Sequence, residues 1–147
     1  MYDVAVIGCG IVGAAAAYEL SRYNCRVLVL EAKNDVANVT TKANSAILHA
    51  GYDPTPGTLM AETNVRGVAL AKELCEKLDV EREEIGSLVL SFGEEDERHL
   101  EKLYQQGLAN GVPGIELLTA DEVHALEPNV SDKVTAELYA PTAANVS

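Results

Sequence analysis

Apolar residues follow two different patterns along this chain. Up to Glu31 they form unbroken runs. DVAVIG (3–8) and RVLVLE (26–31), rich in Val, Ile and Leu, flank the Ala-rich stretch IVGAAAAYELSRY (11–23). Unbroken runs of this length predict buried parallel strands, and the Ala-rich stretch predicts a helix. Together they predict one right-handed βαβ unit. Residues 32–45 are polar and predict a loop. From Gly57 to about Leu78 the spacing becomes helical, with Leu59, Val65, Leu70, Leu74 and Leu78 on one apolar stripe and Glu62, Lys72, Glu73 and Lys77 outside it. SLVLSF (87–92) and IELL (115–118) predict strands, and VTAELYA (134–140) alternates like a half-buried one. EEDERHLEKLYQQGLANG (94–111) predicts a helix with acids at its start and Gly111 at its end. TADEVHALEP carries the capping-box pair Thr119 and Glu122 and stops at Pro128.

The change of pattern predicts two domains, 1–56 and 57–147. Hydrophobic residues make up 48% of the 147, enough for a core built from aliphatic side chains, since Trp is absent and Phe occurs once. Net charge is −12, and residues 1–60 hold four basic and five acidic side chains, so nearly all of the excess lies beyond them. A surface of that sign repels nucleic acid and anionic membranes. Cys9, Cys25 and Cys75 lack metal-ligand spacing, so no metal site is expected. No leader or membrane-length apolar run stands out, and the expected location is cytoplasmic, with attachment to a membrane only through partners.

The chemistry begins at Gly8-Cys9-Gly10-Ile11-Val12-Gly13. A GxGxxG alone is weak. Here it follows a strand, opens a helix and is followed by a strand ending in the acid Glu31. Gly8 permits the tight turn, Gly10 lets backbone approach a pyrophosphate, and Gly13 lets the helix lie close to the sheet. The helix N-terminus offers N–H groups to phosphate oxygens, and the Glu31 carboxylate can accept from ribose hydroxyls, which disfavours a 2′-phosphate. The fingerprint by itself leaves NAD and FAD open, and an NAD-binding module remains an alternative.

The stretches YDVAVIGCGIVGAAAAYELS, VLVLEAKNDVANVTTKANSAILHAGYDPTPGTLMAETNVRG, IGSLVLSF, GVPGIELLTADEVHALEPNVS and ELYAPTAANVS resemble the FAD-dependent oxidoreductase family that includes D-amino-acid oxidase. Within it they look most like the flavin subunit of anaerobic-type glycerol-3-phosphate dehydrogenases, with L-2-hydroxyglutarate oxidases close behind. The resemblance implies an α/β, three-layer Rossmann-like FAD/NAD(P)-binding fold with part of an α+β substrate subdomain. It implies FAD as cofactor, with Gly8, Gly10 and Gly13 at the pyrophosphate, Glu31 at the adenosine ribose, and Ala32 and Lys33 bordering adenine. Thr41, Lys42, Ala43, Asn44 and Ser45 would pass the pyrophosphate and flavin, and His49, Ala50 and Gly51 would lie near the isoalloxazine ring.

His49 is the one catalytic candidate, as acceptor of a substrate hydroxyl proton, and packing against the ring is its structural alternative. His99 and His124, in amphipathic helices, read as surface or packing residues. Where glycerol-3-phosphate enzymes often carry a phosphate-binding Arg, this chain has Tyr52-Asp53-Pro54, which leaves the substrate open between glycerol 3-phosphate and a 2-hydroxy acid. Family members are longer, so the chain reads as an N-terminal portion, inactive alone. A substrate molecule, an electron-transfer subunit and self-association through open strand edges are the expected partners.

Overall fold

The computed structural model describes residues 1–146; Ser147, which ends the ELYAPTAANVS stretch, lies outside the described residues. The chain forms two compact units, Met1–Ser45 and Ala46–Ser147.

In the first unit, β1 (Val4–Ile7) and β2 (Val27–Leu30) pair in parallel, Val4 opposite Val27 and Ile7 opposite Leu30, with α1 (Ile11–Leu20) as the crossover. The start of the pair is fixed by Asp3, whose carboxylate accepts from the Arg26 N–H at 2.8 Å and faces the Arg26 Nε at 3.3 Å. Residues 32–45 form no helix or strand, as the polar composition predicts. The expectation of buried strands is corrected. Ile7 is 86% exposed and Leu30 50%, because α1 is the element packed on the pair within the first unit and the apolar runs present more surface than one helix can shield.

The second unit is antiparallel. β3 (Ile47–Leu48), β8 (Ala144–Val146) and β4 (Arg82–Glu83) make one small sheet in the order β3-β8-β4. β5 (Ser87–Ser91), β7 (Ala136–Ala140) and β6 (Glu116–Thr119) make the other, in the order β5-β7-β6. α3 (Glu94–Asn110) supplies Leu100 and Leu103 to a core shared with Val112, Ile115, Leu138, Ala140, Ala143 and Ala50. α2 (Leu59–Leu78) starts at Thr58, whose hydroxyl accepts from the Ala61 N–H at 3.3 Å. α3 carries four acids in its first turn and ends at Gly111 in the left-handed region. α4 (Ala120–Leu126) has the expected capping box, with the Thr119 N–H donating to the Glu122 carboxylate at 2.8 Å.

By contacts the second unit starts at Ala46, since β3 pairs with β8 and Ala50 enters that unit's core. Two further expectations change. The α2 stripe is kept only in part: Val65 and Leu74 are half-buried as expected, Leu59, Leu70 and Leu78 are exposed, and Ala61, Val68 and Cys75 add to the covered face. Strand β7 does not alternate. Glu137 and Leu138 are both fully buried, because β7 is the central strand of its sheet and Leu90 and Leu118 stand directly opposite Glu137 on its neighbours.

Candidate functional site

The glycine fingerprint forms the turn between β1 and α1. Gly8 has φ +93°, a conformation that a side chain strains. Its N–H donates to the Leu30 carbonyl at 2.7 Å, which ties the turn to the end of β2. A Cβ on Gly13 would stand 1.9 Å from the Gly8 carbonyl oxygen, so α1 can lie this close to β1 only with glycine there. At Gly10 a Cβ would come to 3.0 Å from the Thr41 hydroxyl. That hydroxyl accepts from the Ile11 N–H at 3.0 Å and so caps α1 from the far side of the loop, since the N-cap itself is a glycine without a side chain. The Asn44 amide in turn donates to the Thr41 carbonyl. Thr41 and Asn44 are therefore gathered at the mouth of the fingerprint, while Ala32, Lys33, Lys42 and Ser45 are exposed.

Glu31 is brought to the same turn. One carboxylate oxygen accepts from the Cys9 N–H at 2.7 Å and the other from the Lys33 N–H at 2.9 Å. The Cys9 N–H first, and then the Lys33 N–H, hold this carboxyl below its ordinary range. Each oxygen keeps acceptor capacity for a further donor such as a hydroxyl. The N–H groups of the first turn of α1 after Ile11, whose own N–H goes to Thr41, the open space around Gly8 and this fixed carboxylate fit a dinucleotide pyrophosphate and its ribose.

His49 lies in the second unit, after β3. Its side chain is exposed, and it lines a cleft of about 320 Å³ together with Tyr52, Asp53, Met60 and Asn64. The lining carries the acid Asp53 and no Lys or Arg. Ala50 and Gly51 are buried. Their small size has a packing cause that the sequence did not reveal: Gly51 has φ +107°, and a Cβ on it would stand 2.6 Å from the Val65 side chain and 3.0 Å from the Asn64 Oδ1 on α2. The other side of the loop meets α3. The Gln106 amide donates to the carbonyls of Tyr52 and Asp53, and the Asn110 amide to those of Gly51 and Pro54. Sequence reasoning missed Asn64, Gln106 and Asn110, because polar residues on a helix look the same whether they face water or a buried carbonyl. His99 is exposed and His124 half-buried, and neither lines the His49 cleft.

Comparison with known proteins bears on this arrangement. Residues 3–147 match the family model described as FAD dependent oxidoreductase. A glycerol 3-phosphate dehydrogenase of Caloramator mitchellensis is 50% identical over 142 residues, 97% of this chain and 30% of that protein. A mitochondrial L-2-hydroxyglutarate dehydrogenase of Dictyostelium discoideum is 34% identical over 139 residues, 92% of this chain and 31% of that protein. Among solved structures, the dithionite-reduced L-alpha-glycerophosphate oxidase of Mycoplasma pneumoniae with FAD bound superposes with a TM-score of 0.89 at 33% identity, covering 99% of this chain and 38% of that one. The chain thus spans about a third of the length of these relatives.

Proposed function

Since this chain belongs to the family of FAD-dependent oxidoreductases, we propose that it forms the dinucleotide-holding part of a dehydrogenase acting on a secondary alcohol, with glycerol 3-phosphate as the substrate. The observation that carries the reading is the turn in which Gly8, Gly13 and Glu31 are fixed beside the N-terminus of α1. The substrate is supported by the 50% identity to a glycerol 3-phosphate dehydrogenase. A 2-hydroxy acid of the 2-hydroxyglutarate kind is the second reading, supported by the likeness to an L-2-hydroxyglutarate dehydrogenase.

In this reading the N–H groups at the start of α1 bind the pyrophosphate, and the Glu31 carboxylate accepts the ribose hydroxyls of the adenosine. Ala32 and Lys33 border the adenine. Thr41, Lys42, Ala43, Asn44 and Ser45 run along the pyrophosphate and flavin, and Ala50 and Gly51 hold backbone beside the ring. FAD, when bound, supplies the two-electron acceptor for a hydride leaving the carbinol carbon. His49 takes the hydroxyl proton of the substrate on an imidazole nitrogen. Turnover belongs to a longer protein than these 147 residues, and electrons leave it to a partner subunit or another acceptor.

The test is the visible absorption spectrum of FAD titrated with the purified chain. A perturbed, saturable flavin spectrum that Glu31→Ala weakens by about ten-fold is the expected outcome. A spectrum that the chain leaves unchanged overturns the cofactor role of these residues. Turnover of glycerol 3-phosphate against L-2-hydroxyglutarate by the longer protein, with an artificial electron acceptor, then separates the two substrates.

A further inference from the structure

We propose that Gln106 and Asn110 are positioning residues that set the backbone of the His49 loop through a pair of amide latches. The proposal rests on the reading of His49 as a residue at the cofactor. The two side chains sit one turn apart on α3 and face residues 51–54 across the second unit. Asn110 Nδ2 donates to the Gly51 carbonyl at 2.9 Å and to the Pro54 carbonyl at 2.8 Å. Gln106 Nε2 donates to the Tyr52 carbonyl at 3.3 Å and to the Asp53 carbonyl at 3.2 Å. Each amide thus has two carbonyl acceptors, which fixes its NH₂ end toward the loop. Four consecutive carbonyls, 51 to 54, are taken by two side chains.

Gly107, between the two amides, makes the approach possible: a Cβ there would stand 2.3 Å from the Ile115 side chain and 3.1 Å from Tyr52 Cβ. On the opposite side Gly51 rests on Val65 and Asn64 of α2. The loop after His49 is therefore wedged between two helices and held by hydrogen bonds from one of them. Gly51 and Pro54 are buried, so their carbonyls have little water to turn to when the latch is removed. A loop that must present one imidazole at a fixed place gains from such donors, because tight placement of a reacting group needs support from residues behind it.

The latch separates from simple space-filling by shape-preserving substitutions. Asn110→Asp and Gln106→Glu keep the size of each side chain and replace its donors by carboxylate oxygens that repel the carbonyls. The expected result in the 147-residue chain is a shift of the backbone amide NMR signals of Gly51, Tyr52 and Asp53 and of the His49 imidazole, while signals of α4 and β6 stay in place. The same variants bind FAD about ten-fold more weakly. Signals at residues 49–53 that match the unsubstituted chain in both variants overturn the proposal. Gln106→Glu carries the test if Asn110→Asp does not fold, because Gln106 makes the longer hydrogen bonds. FAD that fails to bind the unsubstituted chain sinks the cofactor reading instead, and the NMR result still decides on the latch.

Discussion

Glu137 gives the sharpest quantitative expectation. It is fully buried on the central strand β7, with Leu90 and Leu118 directly opposite, and neither carboxylate oxygen has a hydrogen-bond partner among the described residues. Burial without a partner penalises the charged form and pushes its pKa from 4.5 up to about 7. The folded state therefore holds this proton more tightly than the unfolded chain. The stability that this contributes is complete below pH 4.5 and is lost progressively as pH rises to about 7, above which the loss is constant. At 1.36 kcal/mol for each pH step the loss amounts to about 3 kcal/mol, a ceiling that water reaching the charged group lowers. Urea unfolding followed by circular dichroism, between about pH 5 and about pH 8, measures it. Glu137→Gln flattens the profile in that window, and Glu137→Leu also raises stability near neutral pH, by about 1–3 kcal/mol, since the buried polar atoms are gone. The carboxyls held below their ordinary range, such as Glu31 and Glu122, act in the opposite sense and below this window. A Glu137→Gln chain with the same pH slope as the unsubstituted one refutes the reasoning.

Two glycines offer companion tests. Gly13→Ala places a methyl 1.9 Å from the Gly8 carbonyl oxygen; α1 must lift from β1, and unit stability falls by about 1–3 kcal/mol with loss of FAD binding, read by thermal unfolding and flavin titration. Gly51→Ala combines a clash at 2.6 Å with a φ of +107°; it destabilises the second unit by about 2 kcal/mol or more and shifts the His49 NMR signal, while a chain that melts unchanged would contradict the packing described for the loop.

Much of the candidate site's backbone was legible because its first half is local. Strand, GxGxxG, helix, strand and acid lie within residues 3–31, and Gly13 answers to Gly8 only five positions away. Gly8, Gly13 and Glu31 accordingly stand where the motif puts them. The second half was legible only as a resemblance. HAG after β3 reads in the sequence as backbone kept small for a ligand, yet Gly51 answers to Val65 on α2 and to Asn110 on α3, residues far along the chain.

The sequence by itself determined the helices, the Gly111 stop of α3, the capping box of α4, the longer strands and the dinucleotide fingerprint, because propensity and turn geometry act within a turn or two of chain, whereas the Thr41 cap of α1 comes from across the loop. Tertiary structure decided the rest. β3, β4 and β8 are two or three residues long and exist only because β8 is paired on both sides. Which face of α2 turns inward, and whether Glu137 meets water, depend on elements brought together from opposite ends of the second unit. A residue's own side chain carries no record of what will be packed against it, and burial is a property of that neighbour as much as of the residue.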